Sequence, residues 1–102
     1  MNYPTIDLKA TGERIKQLRK EKNLKVRDIS KFMGFSEPQA VYKWQRGDSL
    51  PTVDNLYALS VLFETPMEQI IIVRREDAVA ASSFFLYISP IKYLDKSPIF
   101  LL

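Results

Sequence analysis

The sequence predicts an all-α fold of five short helices followed by an apolar C-terminal stretch. Three observations carry that expectation. Apolar residues recur at helical spacing, as in Ile15 with Leu18, Ile29 with Phe32 and Met33, and Val41 with Trp44. Residues that end helices, Asn23, Gly34 and Gly47, fall between these groups. Residues that start helices, Thr11, Ser36, Thr52 and Thr65-Pro66, open the groups.

Residues 1–10 read as an arm. The first helix is expected from Thr11 as N-cap to about Lys22, with Ile15 and Leu18 as its apolar stripe. Asn23 suits the left-handed position after a helix, and Leu24 returns to the core. The second helix covers roughly residues 26–33, with Ile29, Phe32 and Met33 turned inward. Ser30 lies on the same side, small enough for two helices to cross closely there. Gly34 follows, where a positive φ costs glycine little.

The third helix is expected to open at Ser36, with Gln39 three residues on in capping-box spacing and Pro38 in the first turn. Val41 and Trp44 anchor it, and Gly47 ends it. Thr52 caps a fourth helix, whose buried faces are Leu56, Leu59, Val61, Leu62 and Phe63. Thr65-Pro66-Met67-Glu68 starts a fifth, with Met67, Ile70 and Ile71 inward. Arg74-Arg75-Glu76-Asp77 is a charged break. Beyond it, residues 78–102 hold Phe84, Phe85, Tyr87, Tyr93 and Phe100 without a clean period, so no structure is assigned there. The domain scheme is thus an arm at 1–10, a helical domain at 11–73 and a tail at 74–102.

Composition narrows the function. At 102 residues the chain fits one small domain and a tail, and 46% hydrophobic with 26% charged content is ordinary for a globular protein. The absence of cysteine removes disulfides and thiolate metal sites, and the absence of histidine removes the commonest general base and metal ligand. Asp48, Asp54, Glu64 and Glu68 read as helix-end or surface charges, with no paired catalytic constellation. The sequence therefore points away from an enzyme and calls for no cofactor or metal. The start lacks a secretory pattern, and the longest apolar run, Ala78 to Ile88, is too short to span a bilayer, so a cytoplasmic location without a membrane partner is expected. The net charge is +3, but residues 9–31 carry nine basic and three acidic residues, a net +6, leaving −3 for the rest. Such a lobe suits an anionic partner such as nucleic acid, or is simply a solvated helix face.

Residues 12–72 resemble the Cro/C1-type (XRE-like) helix-turn-helix family of phage repressors. The matching residues run from Gly12-Glu13-Arg14-Ile15-Lys16-Gln17-Leu18-Arg19 through Lys22-Asn23-Leu24, Gly34-x-Ser36, Ala40-Val41-x-Lys43-Trp44 and Gly47. They continue through Leu50-Pro51-Thr52-x-Asp54-Asn55-Leu56 to Phe63-x-Thr65-x-x-Glu68-x-Ile70. The resemblance implies a five-helix phage-repressor-like domain that binds operator DNA, usually as a symmetric dimer. Its third helix enters the major groove while the second crosses the backbone.

With Ala40, Val41 and Trp44 inward, Gln39, Tyr42, Lys43 and Arg46 point out. Gln39 matches adenine bidentately and Lys43 donates to guanine O6 and N7, while Tyr42 suits a thymine methyl or a phosphate. Arg46, Lys25 and Arg27 suit phosphates, and Ser36 and Glu37 stand at the helix entrance, where Glu37 either accepts from cytosine N4 or opposes binding. Four departures from the family pattern stand out. The Phe35–Gln39 turn is one residue longer, Val26 replaces a glutamine, Lys25 stands where a capping threonine is common, and Gln45 replaces a glutamate. Any Arg19–Gln45 pairing is then a neutral-acceptor hydrogen bond. The apolar tail leaves a second reading open: a protein-interaction module, antitoxin-like or regulator-binding, docking through residues 78–102. The tail serves equally well as a dimerisation arm.

Overall fold

The computed structural model describes residues 3–74. The chain order is α1 (Leu8–Glu21), α2 (Val26–Met33), α3 (Gln39–Arg46), α4 (Val53–Phe63) and α5 (Met67–Ile70). These helices belong to one compact unit, Ile6–Val73. No strand occurs among the described residues, only an isolated antiparallel bridge between Ile6 and Val73. The readings of residues 75–102 lie outside the described residues.

Four helices end in the same way. After α1, α2, α3 and α4 the chain passes through a left-handed residue, respectively Asn23, Gly34, Gly47 and Glu64. At each one the next N–H reaches back to the helix. Leu24 N–H donates to Arg19 O at 3.0 Å, Phe35 to Ser30 O at 2.8 Å, Asp48 to Lys43 O at 2.9 Å and Thr65 to Ser60 O at 3.0 Å. These are Schellman motifs, which satisfy orphan carbonyls and turn the chain sharply. Glycine and asparagine take such a φ readily, but Glu64 adopts +54° as a glutamate. Its carboxylate accepts from Lys22 Nζ at 2.7 Å, which ties the end of α4 to the end of α1.

Several expected starts are displaced. Asp7, not Thr11, is the N-cap of α1, because its Oδ1 accepts from Ala10 N–H at 2.9 Å. Residues 8–10 are therefore helix rather than arm. Thr11 is buried instead, and its hydroxyl donates to Ile72 O at 3.3 Å and accepts from Ile72 N–H at 2.9 Å. One threonine thereby ties α1 to the chain after α5. The fifth helix is a single turn with Pro66 at its cap, and the Thr65 hydroxyl donates to Phe63 O rather than capping it. Thr52 stands at the N-cap of α4, but its hydroxyl bonds Asp54 and makes no side-chain cap.

The core comprises Ile15, Leu18, Val26, Ile29, Val41, Trp44, Leu59, Phe63 and Ile70. Phe35 packs its ring edge-on to Trp44, with centroids 5.9 Å apart. Two expected core residues lie outside. Phe32 is 49% exposed, since Val26, Ile29, Ser30 and Met33 define the inner face of α2 and Phe32 falls beside it. Val61 is 54% exposed because it lies across α4 from Leu59 and Phe63. With Val53 and Tyr57 it forms an exposed apolar stripe at i, i+4 and i+8.

Candidate nucleic-acid interface

The position of α3 is set by a close approach to α1. A Cβ on Gly12 would lie 2.3 Å from the Trp44 carbonyl oxygen and 2.6 Å from that of Gln45. A Cβ on Gly47 would lie 2.8 Å from the Cα of Lys9. Backbone thus meets backbone at both places, with no room for a side chain. Arg19 adds a polar clamp: its Nε donates to Gln45 Oε1 at 2.8 Å and its Nη1 to Leu24 O at 2.9 Å. This is the neutral-acceptor bond the sequence leads one to expect.

With α3 held on Val41 and Trp44, its other side faces solvent. Gln39, Tyr42, Lys43 and Arg46 are all exposed, and helical periodicity puts them on one face. Lys25 and Arg27 are also exposed at the start of α2. Asp28 accepts from Lys25 N–H at 2.7 Å, so it shields the helix N-terminus, while the lysine ammonium can only donate and cannot cap the helix. Arg27 and Lys31 line a depression opposite Ser36 and Glu37.

The entrance to α3 differs from expectation. Ser36 and Gln39 form no capping box; Ser36, Glu37 and Pro38 make a bend, and Pro38 stands at the N-cap with no side-chain bond. Proline thus stands where a capping side chain would sit. Gln39 is consequently outside any capping role and exposed. Arg46 is already paired, its Nε donating to Asp48 Oδ2 at 2.9 Å.

Sequence reasoning did not bring three further residues to this face. Lys9 and Lys16 project from α1 into a shallow groove of about 740 Å³ that also receives Tyr42 and Arg46. Their spacing of seven on one helix face was the available signal. Asp48 was passed over because nothing in the sequence says that the Gly47 turn folds it back onto Arg46. Among the described residues no acidic cluster could hold a metal, and no helix is long and apolar enough to cross a membrane.

Two short helices in contact across a turn that opens on Gly34, the second backed by α1 and polar outward, define a helix-turn-helix domain. The chain belongs to the Cro/C1-type (XRE-like) helix-turn-helix family, whose model, described as Helix-turn-helix, matches residues 15–70. Solved structures share the fold. The restriction-modification controller protein C.AhdI from Aeromonas hydrophila is 22% identical, covers 63% of this chain and 96% of its own, and has a TM-score of 0.57. The DNA-binding domain of BldD is 20% identical, covering 64% of this chain and 93% of its own at a TM-score of 0.55. The S. venezulae BldD DNA-binding domain is 23% identical, covering 64% and 96% at a TM-score of 0.55. No curated protein matches the chain.

Proposed function

We propose that this protein is a sequence-specific DNA-binding transcriptional regulator of repressor type, which lays α3 in the major groove of double-stranded DNA as a homodimer. The observation that carries this reading is the division of α3. One side is fixed to α1 without space for a side chain, and the other presents Gln39, Tyr42, Lys43 and Arg46 to solvent. Base reading needs donors held in register, and a helix fixed by backbone contact supplies that register. Gln39 and Lys43 read base edges, with Tyr42 beside them. Lys25, Arg27 and Arg46 contact phosphates, and Ser36 and Glu37 border the groove entrance. The fold likeness to a restriction-modification controller fits a regulatory role. The apolar stripe Val53, Tyr57 and Val61 offers surface for self-association.

Selection of bound duplexes from a random library tests the reading. The expected result is an enriched two-fold symmetric sequence, with half-sites about one helical turn apart. Affinity for it should fall linearly with salt on logarithmic axes, as phosphate contacts release counterions. A pool that stays random after selection refutes the proposal.

A further inference from the structure

Asp48 has one partner among the described side-chain hydrogen bonds, the Arg46 guanidinium. The turn that brings them together is closed by a backbone hydrogen bond. Gly47 takes φ +81°, and the Asp48 N–H donates to Lys43 O at 2.9 Å, so the carboxylate is returned to the end of the helix it follows. The arrangement does little for stability. A carboxylate there faces the negative end of the α3 dipole. The pair is also open to water, with side chains 59% and 53% exposed, and exposed ion pairs contribute little. Its chemistry is more telling. A carboxylate competes with phosphate for the same guanidinium, and it repels phosphate while it does so.

We propose that Asp48 is a specificity-determining residue: it occupies Arg46 on DNA of the wrong sequence and yields it only on the right one. The proposal rests on the reading of α3 as the DNA-reading helix. On unrelated DNA only phosphate attraction is available, and the neutral Arg46–Asp48 corner weakens it. On the preferred sequence, Gln39 and Lys43 contacts fix the backbone in register, and a phosphate placed beside Arg46 displaces Asp48. The carboxylate thus acts as a repulsive element that widens the gap between the two classes of DNA.

The experiment compares the full chain with Asp48→Asn, Arg46→Ala and the double variant. Each is titrated against a random-sequence duplex and against the duplex enriched by selection, across a salt series. Thermal melts confirm that all four are folded, and both positions are exposed enough for that to hold. Asp48→Asn should bind the random duplex roughly fivefold tighter, with a salt slope steeper by about one unit, as for one added phosphate contact. The enriched duplex should gain no more than about twofold, so discrimination narrows. In the Arg46→Ala background the Asp48 substitution should lose most of its effect, leaving only the small direct repulsion between one carboxylate and the backbone. Equal tightening on both duplexes, tightening undiminished by Arg46→Ala, weaker binding of the enriched duplex, or no change each overturns the proposal. A wild-type chain without any preferred duplex instead overturns the functional reading, and this appears before the variants are compared.

Discussion

The two sides of α3 obey opposite rules. Its inner side has no freedom: Val41 and Trp44 are buried, and the carbonyls of Trp44 and Gln45 meet α1 at a point where only glycine fits. Its outer side carries four exposed polar or amphipathic side chains that the fold does not need. The difference shows how one short helix serves two purposes. Stability is invested in the inner side, which fixes the backbone, and the outer side is then free to vary without unfolding the domain.

The largest effect that can break this comparison is at Gly12. Gly12→Ala gains helix propensity, but its methyl would meet two backbone carbonyls, which cannot move like the tip of a side chain. Stability in urea should fall by about 3 kcal/mol. A stabilised variant would show that the α1–α3 junction is loose. On the outer side, Lys43→Ala should leave stability almost unchanged and cost about 1–3 kcal/mol of discrimination at a single base position, read by competition binding. Arg27→Ala should instead weaken all sequences together and flatten the salt slope by about one unit. If Lys43→Ala lowered stability as much as Gly12→Ala, the separation of the two sides would be lost.

Smaller effects sharpen the inner side. The Ser30 hydroxyl is buried and no hydrogen-bond partner for it occurs among the described residues. Ser30→Ala should therefore raise stability by about 1 kcal/mol, measured by denaturant midpoint. The smallest effect concerns Glu64, whose pKa is held below its ordinary value by the hydrogen bond from Lys22 and by that lysine's charge. A depressed carboxyl pKa means the contribution is present at neutral pH and is lost as pH falls through the depressed value. The melting temperatures of wild type and Glu64→Gln should differ slightly at neutral pH and converge in acid. A gap that widens in acid would contradict the sign.

Much of the fold was legible because helix ends are local chemistry. Asn23, Gly34 and Gly47 stop helices for reasons that reside in their own φ preferences, and the structure confirms all three. Starts were less legible. Thr11 and Asp7 are both competent caps, and only the burial of Thr11 against Ile72 decides between them. Ser36 and Gln39 have capping-box spacing, but the helix begins later than that spacing implies, with Pro38 in the cap position. In the candidate interface, the outward direction of Gln39, Tyr42, Lys43 and Arg46 followed from the inward anchors Val41 and Trp44 alone. Lys9 and Lys16 did not follow, since they reach this face from α1, and Asp48 did not, since only the direction of the Gly47 turn brings it back to Arg46.

The sequence by itself determined the helix series, the family and the outer face of α3. Periodicity and helix-end chemistry act within a few residues, so they can be read without knowing what packs where. Only the tertiary structure decided that Gly12 and Gly47 admit no side chain, that Thr11 is a tie rather than a cap, and that Asp48 meets Arg46. Those outcomes depend on distances between segments, or on the direction in which a turn returns the chain, and no local preference encodes them.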